Sequence, residues 1–325
     1  MGAAGGRPVV AAVLGAACIS SSAVVMQLAG SSASVTALGR CGIALPVLAL
    51  LAWLERRRGT ARLTVRGRWL ARVSGVFLSA DLIVWSHSIA DIGAGLGTVV
   101  TNLQVVIVTL LAWAVLGERP RRSLLIALPV MLGGLALVGG LTGSAAYGAN
   151  PGLGAALGIG VAVLYAIYIL TLRQATTHHA AAGGPPGAAR PPVVESLFQA
   201  TLGATAGAAA AGLLLRDFRL GPAWPALGWL VLLALTSQVL GWLLITTSMP
   251  RLPAWLVSAL LLVQPIGSLV LSAAFLSERP SLVQIAGVAL MLAGVLIAAT
   301  GRRRGATAVP GESTASVEQP TGDAR

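Results

Sequence analysis

Long uninterrupted apolar runs, not helical or strand-like alternation, dominate the chain. Ten of them come close to or exceed the roughly 20 residues that carry an α-helix across a bilayer. They lie at about 8–29, 35–54, 70–89, 95–116, 123–141, 152–172, 193–215, 224–248, 254–276 and 282–300. Inside a bilayer every backbone N–H and C=O must find its partner within the segment, so each run predicts a transmembrane helix. The first run competes with a cleaved signal peptide, because Arg7 precedes it and Gly15, Ala16 and Ala17 follow its core. Its apolar character continues through Val24, Val25 and Met26, which favours a span. Between the sixth and seventh runs, residues 174–192 contain Gly183, Gly184, Pro185 and Pro186 and read as a flexible connector. Residues 301–325 are rich in Ser, Thr, Pro, Gly and Glu, cannot bury a core, and read as a disordered tail.

Composition agrees with the pattern. Apolar residues make up 56% of the 325-residue chain and charged residues 10%, against roughly a quarter charged in an ordinary soluble domain. With a mean hydropathy of +0.85, a soluble enzyme, a disulfide scaffold and a disordered protein are all excluded. The net charge of +12 raises nucleic acid as a partner, but all 22 basic residues are arginine and they flank apolar runs. Arginine accumulates in short cytoplasmic loops. With the N-terminus inside, eighteen arginines fall in inner segments, Arg56, Arg57 and Arg58 among them. Only Arg216, Arg219 and Arg279 fall outside, and Arg40 lies within the second span. The arginines are therefore topology signals, no nucleic-acid partner is expected, and both termini are predicted cytoplasmic. Cys18 and Cys41 sit in apolar runs and say nothing about redox compartment.

An offset of 160 residues aligns the fourth and fifth spans with the ninth and tenth. Gln104 meets Gln264, Glu118-Arg119-Pro120 meets Glu278-Arg279-Pro280, Met131-Leu132 meets Met291-Leu292, and Gly134 meets Gly294. The chain thus reads as a duplication, residues 1–145 and 150–300. Each half holds five spans, an odd number, so the second must enter the membrane in the opposite sense. That is the inverted-repeat plan of secondary transporters, with a binding site near the midplane between the halves.

The run Glu278-Arg279-Pro280, Gln284, Gly287, Leu290, Gly294 resembles the end of EamA-type members of the drug/metabolite transporter superfamily. Gln264-Pro265 and Arg40 resemble further positions of that family, and the resemblance covers roughly residues 8–300. It implies a ten-helix carrier of small metabolites or drugs, with a cavity lined by the first, third, fourth, sixth, eighth and ninth spans. The first half departs from the pattern at Val105, Leu124 and Ala127.

Polar side chains within a bilayer are costly, so each is a packing device or part of a pathway. Asp81 lies near the middle of the third span, with Trp85 and Ser88 following at helical spacing. It is either a proton- or substrate-binding carboxylate or the structural partner of Arg40. Gln104 and Gln264, with Asn102 beside one and Pro265 beside the other, are candidates for substrate contact or for interhelical hydrogen bonds. Tyr168, Gln238 and Trp242 complete the candidate substrate-binding set, and Gln27 and Tyr165 stand behind them. Glu195 reads as a favourable first-turn acid. His87 reads as interfacial, and His178 and His179 as solvated connector residues. No catalytic constellation and no metal-ligand cluster is visible. The glycines from Gly93 to Gly97 follow no strand, and the chain has no lysine, so no nucleotide fingerprint is present.

The expectation is an all-α integral membrane protein with ten transmembrane helices as two inverted-topology five-helix repeats. It would be an inner-membrane secondary transporter, exporting a small-molecule substrate without a cofactor. The expected partners are that substrate, membrane lipids and protons as coupling ion; a homodimer is left open. The rival is an integral membrane enzyme or flippase acting on a lipid-linked substrate.

Overall fold

The computed structural model describes residues 6–60, 62–117, 120, 122–141, 146–177, 179–180, 192–217, 224–248 and 254–300. Almost all of them are helical. The first half comprises α1 (Gly6–Ser20), α2 (Ser22–Ala29), α3 (Ala33–Arg57), α4 (Val65–Ile92), α5 (Ala94–Thr101), α6 (Gln104–Leu116) and α7 (Arg122–Val138). The second comprises α8 (Pro151–Thr177), α9 (Val193–Leu214), α10 (Ala226–Leu233), a π-helical turn (Ala234–Gly241), α11 (Trp242–Ser248), α12 (Ala254–Leu276) and α13 (Leu282–Thr300). Among the described residues eight helical stretches are long and apolar enough to cross a bilayer; Arg122–Val138 and Leu262–Leu276, the latter within α12, are shorter apolar helices. The Glu118-Arg119 pair, Arg121, His178 and the tail 301–325 lie outside the described residues.

Several of the apolar runs are broken helices, and each break has a local cause. Ser20, Ser21 and Ser22 turn their hydroxyls back to donate to the carbonyls of Ala16, Cys18 and Ile19, competing with the helical ladder where α1 gives way to α2. Gly93, in the gap between the third and fourth runs, separates α4 from α5 at φ 96°, a backbone state that favours glycine. Asn102 and Leu103 form the turn between α5 and α6, where the Asn102 amide donates to the carbonyls of Thr98 and Val99. The connector expected over 174–192 is helical as far as Thr177. Beyond it, His179–Ala180 (β2) pairs antiparallel with Arg62–Leu63 (β1), which gives two short segments at the arginine-rich end a shared ladder.

The halves exchange partners. In the first half α4 packs most extensively on α8 and α9; in the second, the stretch α10 to α11 packs on α1, α2 and α3. Helices α7 and α13 pack on one another, with Leu125, Ile126, Leu282 and Ile285 exposed on their far sides. Their crossing obeys the 160-residue offset: Met291 lies against Gly134, and Met131 lies against Gly294. Gln284 at the start of α13 holds this pair to the neighbouring loop. Its amide donates to the carbonyls of Val138 (3.1 Å) and Tyr147 (3.0 Å), and its oxygen accepts from the Tyr147 N–H (2.8 Å).

Candidate functional site

Buried polar side chains concentrate where α3, α4, α8, α9 and the π-helical turn meet. Arg40, on α3, is 6% exposed, and its Nε donates to Gln238 Oε1 at 3.1 Å. Gln238 lies in the π-helical turn, a wide turn of the kind often found at functional sites. Its amide also donates weakly to Thr201 Oγ1 on α9, at 3.4 Å. Asp81 and Trp85 lie on α4, 6% and 8% exposed, and Tyr168 on α8 is fully buried. The Tyr165 and Tyr168 rings meet edge to face, their centroids 5.6 Å apart. Arg40 and Asp81 feel each other's charge, but no ion pair within 4.0 Å joins them.

What distinguishes this cluster is the polar atoms left over. Arg40 Nη1, Asp81 Oδ1, Trp85 Nε1, Tyr168 Oη and Ser237 Oγ are buried without a hydrogen-bond partner. Leaving one buried donor or acceptor unpaired costs about 1–3 kcal/mol, so folded proteins keep few. Five of the seven such atoms among the described residues lie on α3, α4, α8 and the π-helical turn. Trp85 and Tyr168 belong to one apolar cluster with Leu78, Leu82 and Leu233, which walls this polar group on one side.

The remaining sequence candidates lie elsewhere. Asn102 is occupied by its own helix end. Gln104 and Gln264 are half-buried, on α6 and α12, and among the described residues neither side chain has a hydrogen-bond partner. Trp242 packs with Ala44, Leu48 and Leu197 in a separate cluster.

Three carboxylates that the site prediction did not include grip helix N-termini across the bundle. Glu55 accepts from the N–H groups of Val194 (3.1 Å) and Glu195 (2.9 Å) at the start of α9. Asp217, just beyond α9, accepts from the Ser34 N–H (3.3 Å) at the start of α3. Glu278, between α12 and α13 and 4% exposed, accepts from the N–H groups of Ala94 (2.6 Å) and Gly95 (3.1 Å) at the start of α5. Carboxylates suit helix N-termini because the free N–H groups and the helix dipole both favour negative charge there. Partial burial, and after it the nearby Glu278 charge, raise the Tyr147 phenol above its ordinary pKa. The sequence signal was an acid just beyond the end of an apolar run; the repeat drew attention to Glu278 but not to what it holds. Glu195 is itself buried, paired with Arg56 at 2.9 Å and accepting from the Leu63 N–H at 3.3 Å.

One solved structure, described as "Crystal structure of protein", matches 92% of this chain and 98% of its own at 17% identity, with a TM-score of 0.58, and shows a shared fold. No curated protein matches the chain. The model of the EamA-like transporter family matches residues 6–140 and 152–300. Both matched blocks fall on the two halves that the 160-residue offset relates, and together they take in nearly every described helix. This multi-pass membrane protein belongs to the EamA-like transporter family.

Proposed function

We propose that the protein is a secondary transporter that exports a small metabolite or drug-like solute by alternating access between two inverted five-helix halves in the inner membrane. The observation that carries this reading is the cluster of unpaired buried polar atoms on Arg40, Asp81, Trp85, Tyr168 and Ser237. A solute entering there gains hydrogen bonds that the protein alone leaves unmade. The exchange of packing partners between the halves supports the alternating geometry, because the same contacts recur under the 160-residue offset. Asn102, Gln104, Gln264 and Trp242 would contact the solute at other points of its path.

Asp81 is the coupling carboxylate in this reading. A carboxylate held near Arg40 without a direct ion pair can gain or lose a proton as its surroundings change, which is what proton coupling requires. The test begins with an export screen of an overexpressing strain against metabolites and toxic compounds, followed by flux measurements in proteoliposomes. Asp81→Asn keeps size and hydrogen bonding but removes titration. It is expected to fold, to lose flux driven by a pH gradient, and to retain exchange of solute. Normal gradient-driven flux in that variant eliminates the coupling role. Lower protein abundance, restored when Arg40 is also neutralised, would make Asp81 a structural partner of Arg40 instead.

A further inference from the structure

We infer that Glu278 is a positioning residue for transport: its grip on the start of α5 closes the arginine-poor face of the pathway, and its release opens that face. This rests on the transport reading above. The chain arranges an unusual junction here. Gly93 joins the end of one span to the start of the next, where Ala94 and Gly95 present free N–H groups, and the acceptor arrives from a loop more than 180 residues later in the sequence. The approach leaves no room at residue 93, where an added Cβ would lie 2.9 Å from Glu278 Oε2. Behind the grip α5 and α12 are in direct contact. Ser268 Oγ lies 2.9 Å from Thr98 Oγ1, and Gly95 lies against Ser272 and Leu269. On the other side is a cavity of about 230 Å³, lined among others by Gln27, Ile89, Gly93, Tyr147 and Glu278. The carboxylate therefore stands in the wall between this vestibule and the interior of the bundle.

Helices α3 and α9 are gripped at both ends, by Glu55 at one and Asp217 at the other, and so are held along their whole contact. Among the described residues α5 and α12 are gripped at one end only, while α6, which continues from α5, packs chiefly on α8. The offset that maps Glu278 onto Glu118 also maps Ala94 onto Ala254, the first residue of α12.

The experiment uses the full chain with Cys18 and Cys41 replaced by alanine and a reporter Gln264→Cys. A charged, membrane-impermeant maleimide is applied separately to the two sides of oriented vesicles. Glu278→Gln is expected to speed labelling from the arginine-poor side about tenfold and to slow it from the other, since a charge-assisted hydrogen bond is lost from the closed state alone. Ala94→Pro removes one gripping N–H at the first helical position, where proline is tolerated, and is expected to act in the same direction. Unchanged labelling in both variants overturns the gate. Loss of folded protein in both, with a parent that folds, makes Glu278 a structural cap and also overturns it. A parent that labels from neither side, though its reporter cysteine reacts once the protein is denatured, overturns the transport reading itself.

Discussion

Two adjacent glycines on α7 are expected to respond oppositely to the same substitution. A Cβ added at Gly134 would lie 2.6 Å from the Gly287 carbonyl oxygen and 2.9 Å from the Met291 nitrogen, both backbone atoms of α13. Carbon and carbonyl oxygen ordinarily meet at about 3.3 Å, so the helices must part by roughly 0.7 Å. Such overpacking costs about 1–3 kcal/mol. At Gly133 a Cβ meets nothing within 4 Å, so alanine there brings only its better helix propensity, about 0.5–1 kcal/mol. Gly134→Ala gains the same propensity, so the two variants should differ by the overpacking alone, roughly 1–3 kcal/mol, or about 2–5 °C in unfolding temperature for a chain of this size. Thermal unfolding of purified Gly134→Ala and Gly133→Ala in one detergent measures the gap. Equal unfolding temperatures would refute the close α7–α13 crossing, and with it the offset-related seating of Met291 on Gly134.

Gln238→Leu strips the acceptor from Arg40 Nε in the buried cluster and should destabilise by about 1.5–3 kcal/mol, whereas Gln238→Glu keeps an acceptor and adds a countercharge. Thermal unfolding should rank Leu below the parent and Glu at or above it; a Leu variant as stable as the parent removes the Arg40–Gln238 bond from the account. Gln284→Leu leaves the Tyr147 N–H and C=O and the Val138 carbonyl without their partner and should cost about 3 kcal/mol in all. Folded yield should fall while flux per folded molecule holds, and an unchanged yield with lost flux would place Gln284 in the pathway instead.

Much of the fold is legible in the sequence because a bilayer leaves the backbone few choices: a long apolar run is helical or it is not in the membrane. The Gln104–Gln264 and Met131–Met291 correspondences were likewise visible, and the second became a physical crossing. The breaks were harder. Asn102 lies inside the fourth apolar run and Gly93 in the short gap before it, and nothing local says that a carboxylate near residue 278 will receive the N–H groups that follow Gly93. The π-helical turn under Gln238 has no composition of its own. Arg40 and Gln238 are 198 residues apart, and their bond depends on how α3 meets the second half. Sequence depth brought Asp81, Trp85, Tyr168 and Gln238 into one candidate set; of these, Gln238 accepts from Arg40, and Trp85 and Tyr168 share one apolar cluster. Asn102, Gln104, Gln264 and Trp242 were equally polar or aromatic at similar depth, yet the fold distributes them over other contacts.

The inversion of the two halves is tested most directly by locating two equivalent loops. Reporter fusions at Arg121 and at Arg279, the loops that the 160-residue offset superimposes, should report opposite sides of the membrane. Arg121 should lie on the cytoplasmic side with fusions at Arg57, and Arg279 outside with fusions at Ser32 and Tyr147. If Arg121 and Arg279 report the same side, the halves are not inverted and the alternating-access account falls with them.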